Sequence, residues 1–118
     1  MLVLDESTAM LDPLGRREVL DVAHKLNEEG LTVVLITHFM EEVLNCDKVI
    51  VMNGGHVVKT GTPDEIFNDE ILLDEVGLKA PRAVALAKKL ADAGFNVTTN
   101  CSDAHVLGGE VCHELTKK

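Results

Sequence analysis

Met1-Leu2-Val3-Leu4-Asp5-Glu6 opens the chain, and its reading decides the fold. An unbroken apolar run closed by two acids reads as a strand buried on both faces, as in a parallel sheet. In open α/β sheets ligands bind at the carboxyl edge of such strands, so Asp5 and Glu6 fall on a candidate functional rim. Successive strand residues point in opposite directions, which lets the two carboxylates take different roles. One can hold a Mg2+ ion, usually through water, and the other can orient or deprotonate an attacking water. Alone, an apolar run followed by Asp-Glu is a weak motif, since an acid capping the next turn looks the same.

Outward from that strand, residues 7–11 show no period and read as a loop. Asp12-Pro13 is a helix start: Asp as N-cap, then Pro where its missing N–H costs nothing. Val19, Val22, Ala23 and Leu26 fall at i, i+3, i+4 and i+7 and give the helix one apolar face, with Gly30 as its stop. Residues 31–36 are apolar except for Thr32 and read as a second buried strand. A helix between two such strands makes a βαβ unit with parallel strands and a right-handed crossover. Thr37-His38 ends the second strand, before a short helix over residues 39–44. Where the two strands are neighbours, His38 reaches the edge that holds Asp5 and Glu6. An imidazole there can donate to a phosphate oxygen or hold the water-orienting glutamate in place. The plainer alternative is a histidine satisfying a backbone carbonyl at a strand-to-helix turn.

Residues 48–52 and 56–60 flank Asn53-Gly54-Gly55, a hairpin by its turn chemistry. Thr62-Pro63-Asp64-Glu65 is a capping box opening a helix to about Asn68, and residues 70–76 read as another short helix stopped by Gly77. Pro81 opens a helix with Ala83, Leu86, Ala87 and Leu90 on one face, ending at Gly94, and residues 95–97 read as a short strand. From Thr98 onward the pattern fades and no structure is assigned. A soft boundary falls near residues 68–70, dividing the chain into 1–69 and 70–118. The fold class is α/β: a partial parallel sheet with a crossover helix, an antiparallel hairpin and a mainly helical C-terminal extension.

Composition narrows the function classes. The 118 residues fit one domain, and a formal net charge of −9 argues against a nucleic-acid or anionic-lipid partner. No apolar run approaches the roughly 20 residues of a membrane span, and the N-terminus lacks the pattern of a signal peptide. Three cysteines, Cys46, Cys101 and Cys112, make no CxxC spacing, so a disulfide framework is not expected in what reads as a cytoplasmic chain. Cys101, His105, Cys112 and His113 invite a zinc reading, but their spacings fit no structural-zinc template. The acid pairs Glu28-Glu29 and Glu41-Glu42 read as solvated faces.

Several stretches together resemble a known superfamily. Residues 2–16, Leu-Val-Leu-Asp-Glu-Ser-Thr-Ala-Met-Leu-Asp-Pro-Leu-Gly-Arg, resemble the Walker B segment and D-loop of ATP-binding cassette (ABC) ATPases. Leu35-Ile36-Thr37-His38 looks like their H-loop, and residues 47–56 like the hairpin that follows it. Residues 61–67, Gly-Thr-Pro-Asp-Glu-Ile-Phe, are similar to the segment closing the catalytic core in transporter members. The wording from Asp5 to Arg16 is most similar to the energy-coupling factor ATPases that serve cobalt, nickel and vitamin uptake. Residues 72–81 extend the likeness, less specifically, into their C-terminal extension. The resemblance implies that Asp5 orders Mg2+, Glu6 polarises water, and His38 is the switch histidine near the γ-phosphate. It implies further that Asp12 is the D-loop aspartate, whose loop crosses to the partner subunit. Ser7 stands where the family more often has proline.

No GxxxxGK[ST] occurs, nor an LSGGQ-type segment, a Q-loop or an adenine-stacking aromatic. The chain therefore looks like the C-terminal piece of an ATPase subunit whose parent uses Mg-ATP, pairs with a second ATPase subunit and drives a transmembrane coupling subunit. That parent sits peripherally on the inner face of the cell membrane. Three acid/base groups without a phosphate cradle cannot position ATP, so no bound cofactor and no appreciable hydrolysis are expected of this chain alone. An uncovered apolar sheet face leads to an expectation of self-association. The alternative function is a non-catalytic interaction or dimerisation module in which Asp5, Glu6 and His38 are relics.

Overall fold

The computed structural model describes residues 1–97 and 104–116. The chain packs as two compact units, residues 1–42 and 43–118. The first carries β1 (Leu2–Asp5), α1 (Pro13–Glu28), β2 (Val33–Ile36) and most of α2 (Met40–Val43). The second carries β3 (Val49–Asn53), β4 (His56–Gly61), α3 (Pro63–Phe67), α4 (Glu70–Val76), α5 (Arg82–Asp92) and α6 (Ala104–Thr116).

In the first unit β1 and β2 pair in parallel, with Leu2 opposite Val33, Leu4 opposite Leu35 and Asp5 opposite Ile36. The ladder runs one residue past each end: Leu2 N–H donates to Thr32 O at 2.8 Å and Glu6 N–H to Ile36 O at 2.8 Å. The crossover helix begins as its sequence dictates, with Asp12 accepting from Gly15 N–H at 2.8 Å and Pro13 in the first turn. It ends in a Schellman arrangement: Gly30, at φ 94°, donates to Asn27 O, and Leu31 donates to Leu26 O. Only a residue without a Cβ adopts that φ at little cost.

The expectation of strands buried on both faces is corrected. Leu2, Leu4, Val33 and Leu35 are half-buried on one face, whereas Val3, Val34 and Ile36 on the other are exposed. The two-stranded sheet has one helix to cover it, and alternating side chains leave the opposite face in solvent. Even the covered side is open. A groove of about 390 Å3 runs between sheet and helix, lined by Leu2, Leu4, Leu11, Val19 and Val22, and Val22 itself is exposed.

In the second unit β3 and β4 form an antiparallel hairpin with an irregularity between Val51 and Met52. Its turn places Gly54 at φ 57° and Gly55 at φ 80°, the pair of positive angles a tight type I′ connection needs. The capping box forms in full: Thr62 Oγ1 accepts from Glu65 N–H at 3.3 Å, and Glu65 Oε2 accepts from Thr62 N–H at 2.8 Å. Asp69 caps α4 through Leu72 N–H at 3.0 Å while Lys59 Nζ donates to its other oxygen at 2.6 Å. Ile66, Phe67, Leu72, Leu73 and Val84 are buried.

Two sequence expectations fail here. Residues 95–97 are not a strand; Phe95 N–H returns to Leu90 O, so this segment completes the glycine-terminated end of α5. Within the stretch left without structure, α6 forms and spans Gly108-Gly109. Each glycine costs a helix about 1 kcal/mol. Leu107, buried against Ala87, and Val111, one turn on at the edge of the same cluster, offset that by packing near Ala83 and Leu90. Cys101 lies outside the described residues, as does the side chain of His105, so the zinc reading falls there too. No helix among the described residues is long and apolar enough to cross a membrane.

Candidate functional site

Parallel pairing delivers the ends of β1 and β2 to one edge, and two of the expected residues meet there. Glu6 directly follows β1, and His38 lies two residues past β2. His38 Nδ1 lies 3.1 Å from Glu6 Oε1. An ionised carboxylate only accepts, so in this pairing Nδ1 carries the proton and donates it to Glu6. That directs Nε2 away from the carboxylate. The two side chains are 60% and 55% exposed, so the pair is open to a ligand.

Local structure aims both residues. Glu6 has φ 45°, the one described non-glycine residue with a positive φ. The left-handed turn breaks the strand direction immediately after Asp5. On the other strand, Thr37 Oγ1 accepts from Phe39 N–H at 3.0 Å, a side-chain turn that ends β2 and starts the approach to α2. Asp5 is exposed at the last position of β1, opposite Ile36. Asp12 is not brought to the Glu6–His38 pair by any bond of its own; its carboxylate holds Gly15 N–H at the start of α1.

For a metal, the donor set is sparse. Among the described residues no group of three or more His, Cys, Asp or Glu side chains is arranged to hold an ion. Mg2+ bound to a nucleotide commonly takes one or two protein carboxylates and fills the rest of its shell with phosphates and water. Asp5 offers one such carboxylate.

Sequence reasoning missed the cluster beneath the pair. Thr8 is 1% exposed and Glu42 5%, and Thr8 Oγ1 donates to Glu42 Oε1 at 2.6 Å. Arg16 Nε lies 3.8 Å from the same oxygen. The Arg16 guanidinium also sits 3.8 Å from the centre of the Phe39 ring, a cation–π contact, and Phe39 in turn lies 4.2 Å from the His38 ring, tilted by 33°. The solvated-face reading of Glu41-Glu42 is therefore corrected: Glu41 is exposed, Glu42 is not. A helix of four residues is too short to show a period, so its inward face left no signal in the sequence. Glu28-Glu29 is exposed, as expected.

Known proteins supply the rest. No protein-family model matches the chain. It is 53% identical over 100 residues to "Energy-coupling factor transporter ATP-binding protein EcfA1" of Caldanaerobacter subterraneus, covering 84% of this chain and 36% of that protein. It is 46% identical over 120 residues to the protein of the same name from Mycoplasmoides gallisepticum, covering all of this chain and 42% of that one. Among solved structures it is similar to cbiO1 from Clostridium perfringens, described as part of the ABC transporter complex cbiONQ. There the TM-score is 0.53 at 36% identity, over 74% of this chain and 36% of the other. The chain thus spans about two-fifths of the length of the curated relatives it matches. Over that span it belongs to the energy-coupling factor transporter ATP-binding proteins, a family of ABC ATPases.

Proposed function

We propose that the chain is the C-terminal part of the ATP-hydrolysing subunit of an importer for metal ions or vitamins, carrying its water-activating half. The observation that supports this most is the Glu6–His38 contact at the shared end of two parallel strands. In this reading Glu6 orients or deprotonates the attacking water, and His38 keeps Glu6 in place while presenting Nε2 toward the terminal phosphate. Asp5 would hold Mg2+ through water, and the ion would supply positive charge against the charge developing on the terminal phosphate. Asp12, at the head of α1, belongs to the loop that faces a second ATPase subunit.

Residues 1–69 make up the end of the catalytic core, and residues 70–118 an extension with a dimerising or regulatory role. The whole subunit works on the cytoplasmic face of the membrane, with a second ATPase subunit and a transmembrane coupling subunit. By itself this sequence has no phosphate-gripping glycine loop. Positioning supplies most of phosphoryl-transfer catalysis, so the isolated chain neither binds nor hydrolyses Mg-ATP well. A phosphate-release assay on it reads background; ordinary turnover would refute this.

A second reading draws on the exposed apolar residues Val3, Val34 and Ile36 of the first unit. It makes the chain an interaction module, and self-association of the isolated chain is expected under either reading. Mg-ATP at millimolar concentration separates the two when the chain is supplied with the missing N-terminal half. Thermal stabilisation of the reconstituted pair supports the ATPase reading, and its absence supports the module.

A further inference from the structure

The Thr8–Glu42 hydrogen bond is buried, joins residues far apart in sequence, and takes no part in the Glu6–His38 contact. Its position along the chain is what gives it meaning. Thr8 lies just beyond Glu6 on the segment leaving β1, and Glu42 lies one helical turn beyond His38 on the segment leaving β2. Glu6 itself sits at φ 45°, and a non-glycine residue stays there only when its surroundings over-determine it. Two backbone bonds contribute: Glu6 N–H to Ile36 O at 2.8 Å and Ala9 N–H to Glu6 O at 3.1 Å. An exposed polar contact such as Glu6–His38 gains too little by itself to order two side chains.

Resting on the reading of Glu6 and His38 given above, we propose that Thr8 and Glu42 are positioning residues. Their hydrogen bond clasps the segment after β1 to the segment after β2 and so holds the Glu6 carboxylate against His38 Nδ1. Glu42 N–H donates to Phe39 O at 3.1 Å, so the clasp reaches the residue stacked on His38 through the backbone as well. Arg16 completes it, balancing the buried charge of Glu42 and resting on the outer partner of the His38 ring, Phe39. None of these three touches the reacting atoms.

The test is 15N NMR of the His38 ring in the 118-residue chain, at about pH 8 where an ordinary imidazole is neutral. Wild type and Thr8→Ser, which keeps the hydroxyl, are expected to show the proton on Nδ1. Thr8→Val, which keeps the shape and loses the donor, is expected to lose that signature while cross-strand contacts between Leu4 and Leu35 persist. A Thr8→Val chain that keeps the signature overturns the clasp and leaves the Glu6–His38 reading standing. A wild-type chain without the signature overturns both. Should Thr8→Val lose the strand pairing, Glu42→Gln and Glu42→Met decide. The amide still accepts from Thr8 and is expected to keep the proton on Nδ1, the thioether to lose it. Retention in Glu42→Met overturns the proposal.

Discussion

Glu6 and His38, 32 positions apart in the chain, are joined by a single contact of 3.1 Å that exists because β1 and β2 are adjacent and parallel. Neither residue is on a strand. Each is on the connection that leaves one, where backbone direction is set by turn chemistry. The site therefore depends on two short turns as much as on the sheet.

The left-handed backbone at Glu6 gives a stability prediction. Relieving a positive φ at a non-glycine residue is worth on the order of 1 kcal/mol, so Glu6→Gly stabilises the chain by about 0.5–1 kcal/mol in urea denaturation. Glu6→Val, with a β-branched side chain at the same φ, destabilises it. Equal stability of the two variants would mean that the strain is not there.

Arg16 offsets a carboxylate that is almost wholly removed from water. Arg16→Met leaves Glu42 without that charge partner and costs about 1–3 kcal/mol of unfolding free energy. The neighbouring Arg17, which is exposed, serves as control, and Arg17→Met falls within about 0.5 kcal/mol of wild type. Indistinguishable costs at the two positions would remove Arg16 from the cluster.

Asp69 gives the second unit one contribution to stability that depends on pH. The Lys59 ammonium, and after it the Leu72 backbone N–H, holds its carboxyl below the ordinary 3.8. The folded state thus binds the proton less readily than the unfolded state. The stabilisation is complete above 3.8 and declines as pH falls from there through the lower folded value. Lys59→Met removes the leading cause, so stability measured from pH 5 down to pH 2 falls less steeply than in wild type. A steeper fall in the variant would reverse the assignment.

Cysteine reactivity separates two described thiols. Burial, then the charge of Asp47, pushes the Cys46 thiol above its ordinary value, whereas Cys112 is exposed. The thiolate is the reactive form, so iodoacetamide at neutral pH labels Cys112 ahead of Cys46, as read by mass spectrometry of peptides. Asp47→Asn speeds labelling at Cys46. Faster labelling of Cys46 than of Cys112 in the native chain would contradict the burial.

Much of this was legible in the residues. Asp12-Pro13, the Thr62 capping box, Asn53-Gly54-Gly55 and Gly30 each carry a local instruction, and each is obeyed. The parallel partnership of β1 and β2 followed from the helix between them, and with it the meeting of Glu6 and His38. Apolar character on both strand faces does not mean burial of both: one helix covers one face, and the uncovered apolar face expected from the sequence is the one carrying Val3, Val34 and Ile36. Glu42 was misread for a related reason: whether an acid on one turn of helix points to water or to Thr8 depends on a loop 34 residues away. α6 was hidden by Gly108-Gly109, whose local cost is outweighed by the contact of Leu107 with Ala87.

In the function proposed here, Glu6 activates water for hydrolysis of ATP held by the remainder of the subunit. The most direct test is phosphate release by a chimera in which this chain replaces the matching segment of the Caldanaerobacter relative. Hydrolysis by the chimera, falling about 10²–10⁴-fold in Glu6→Gln, is the predicted result. A Glu6→Gln chimera that hydrolyses Mg-ATP as fast as its parent would contradict it.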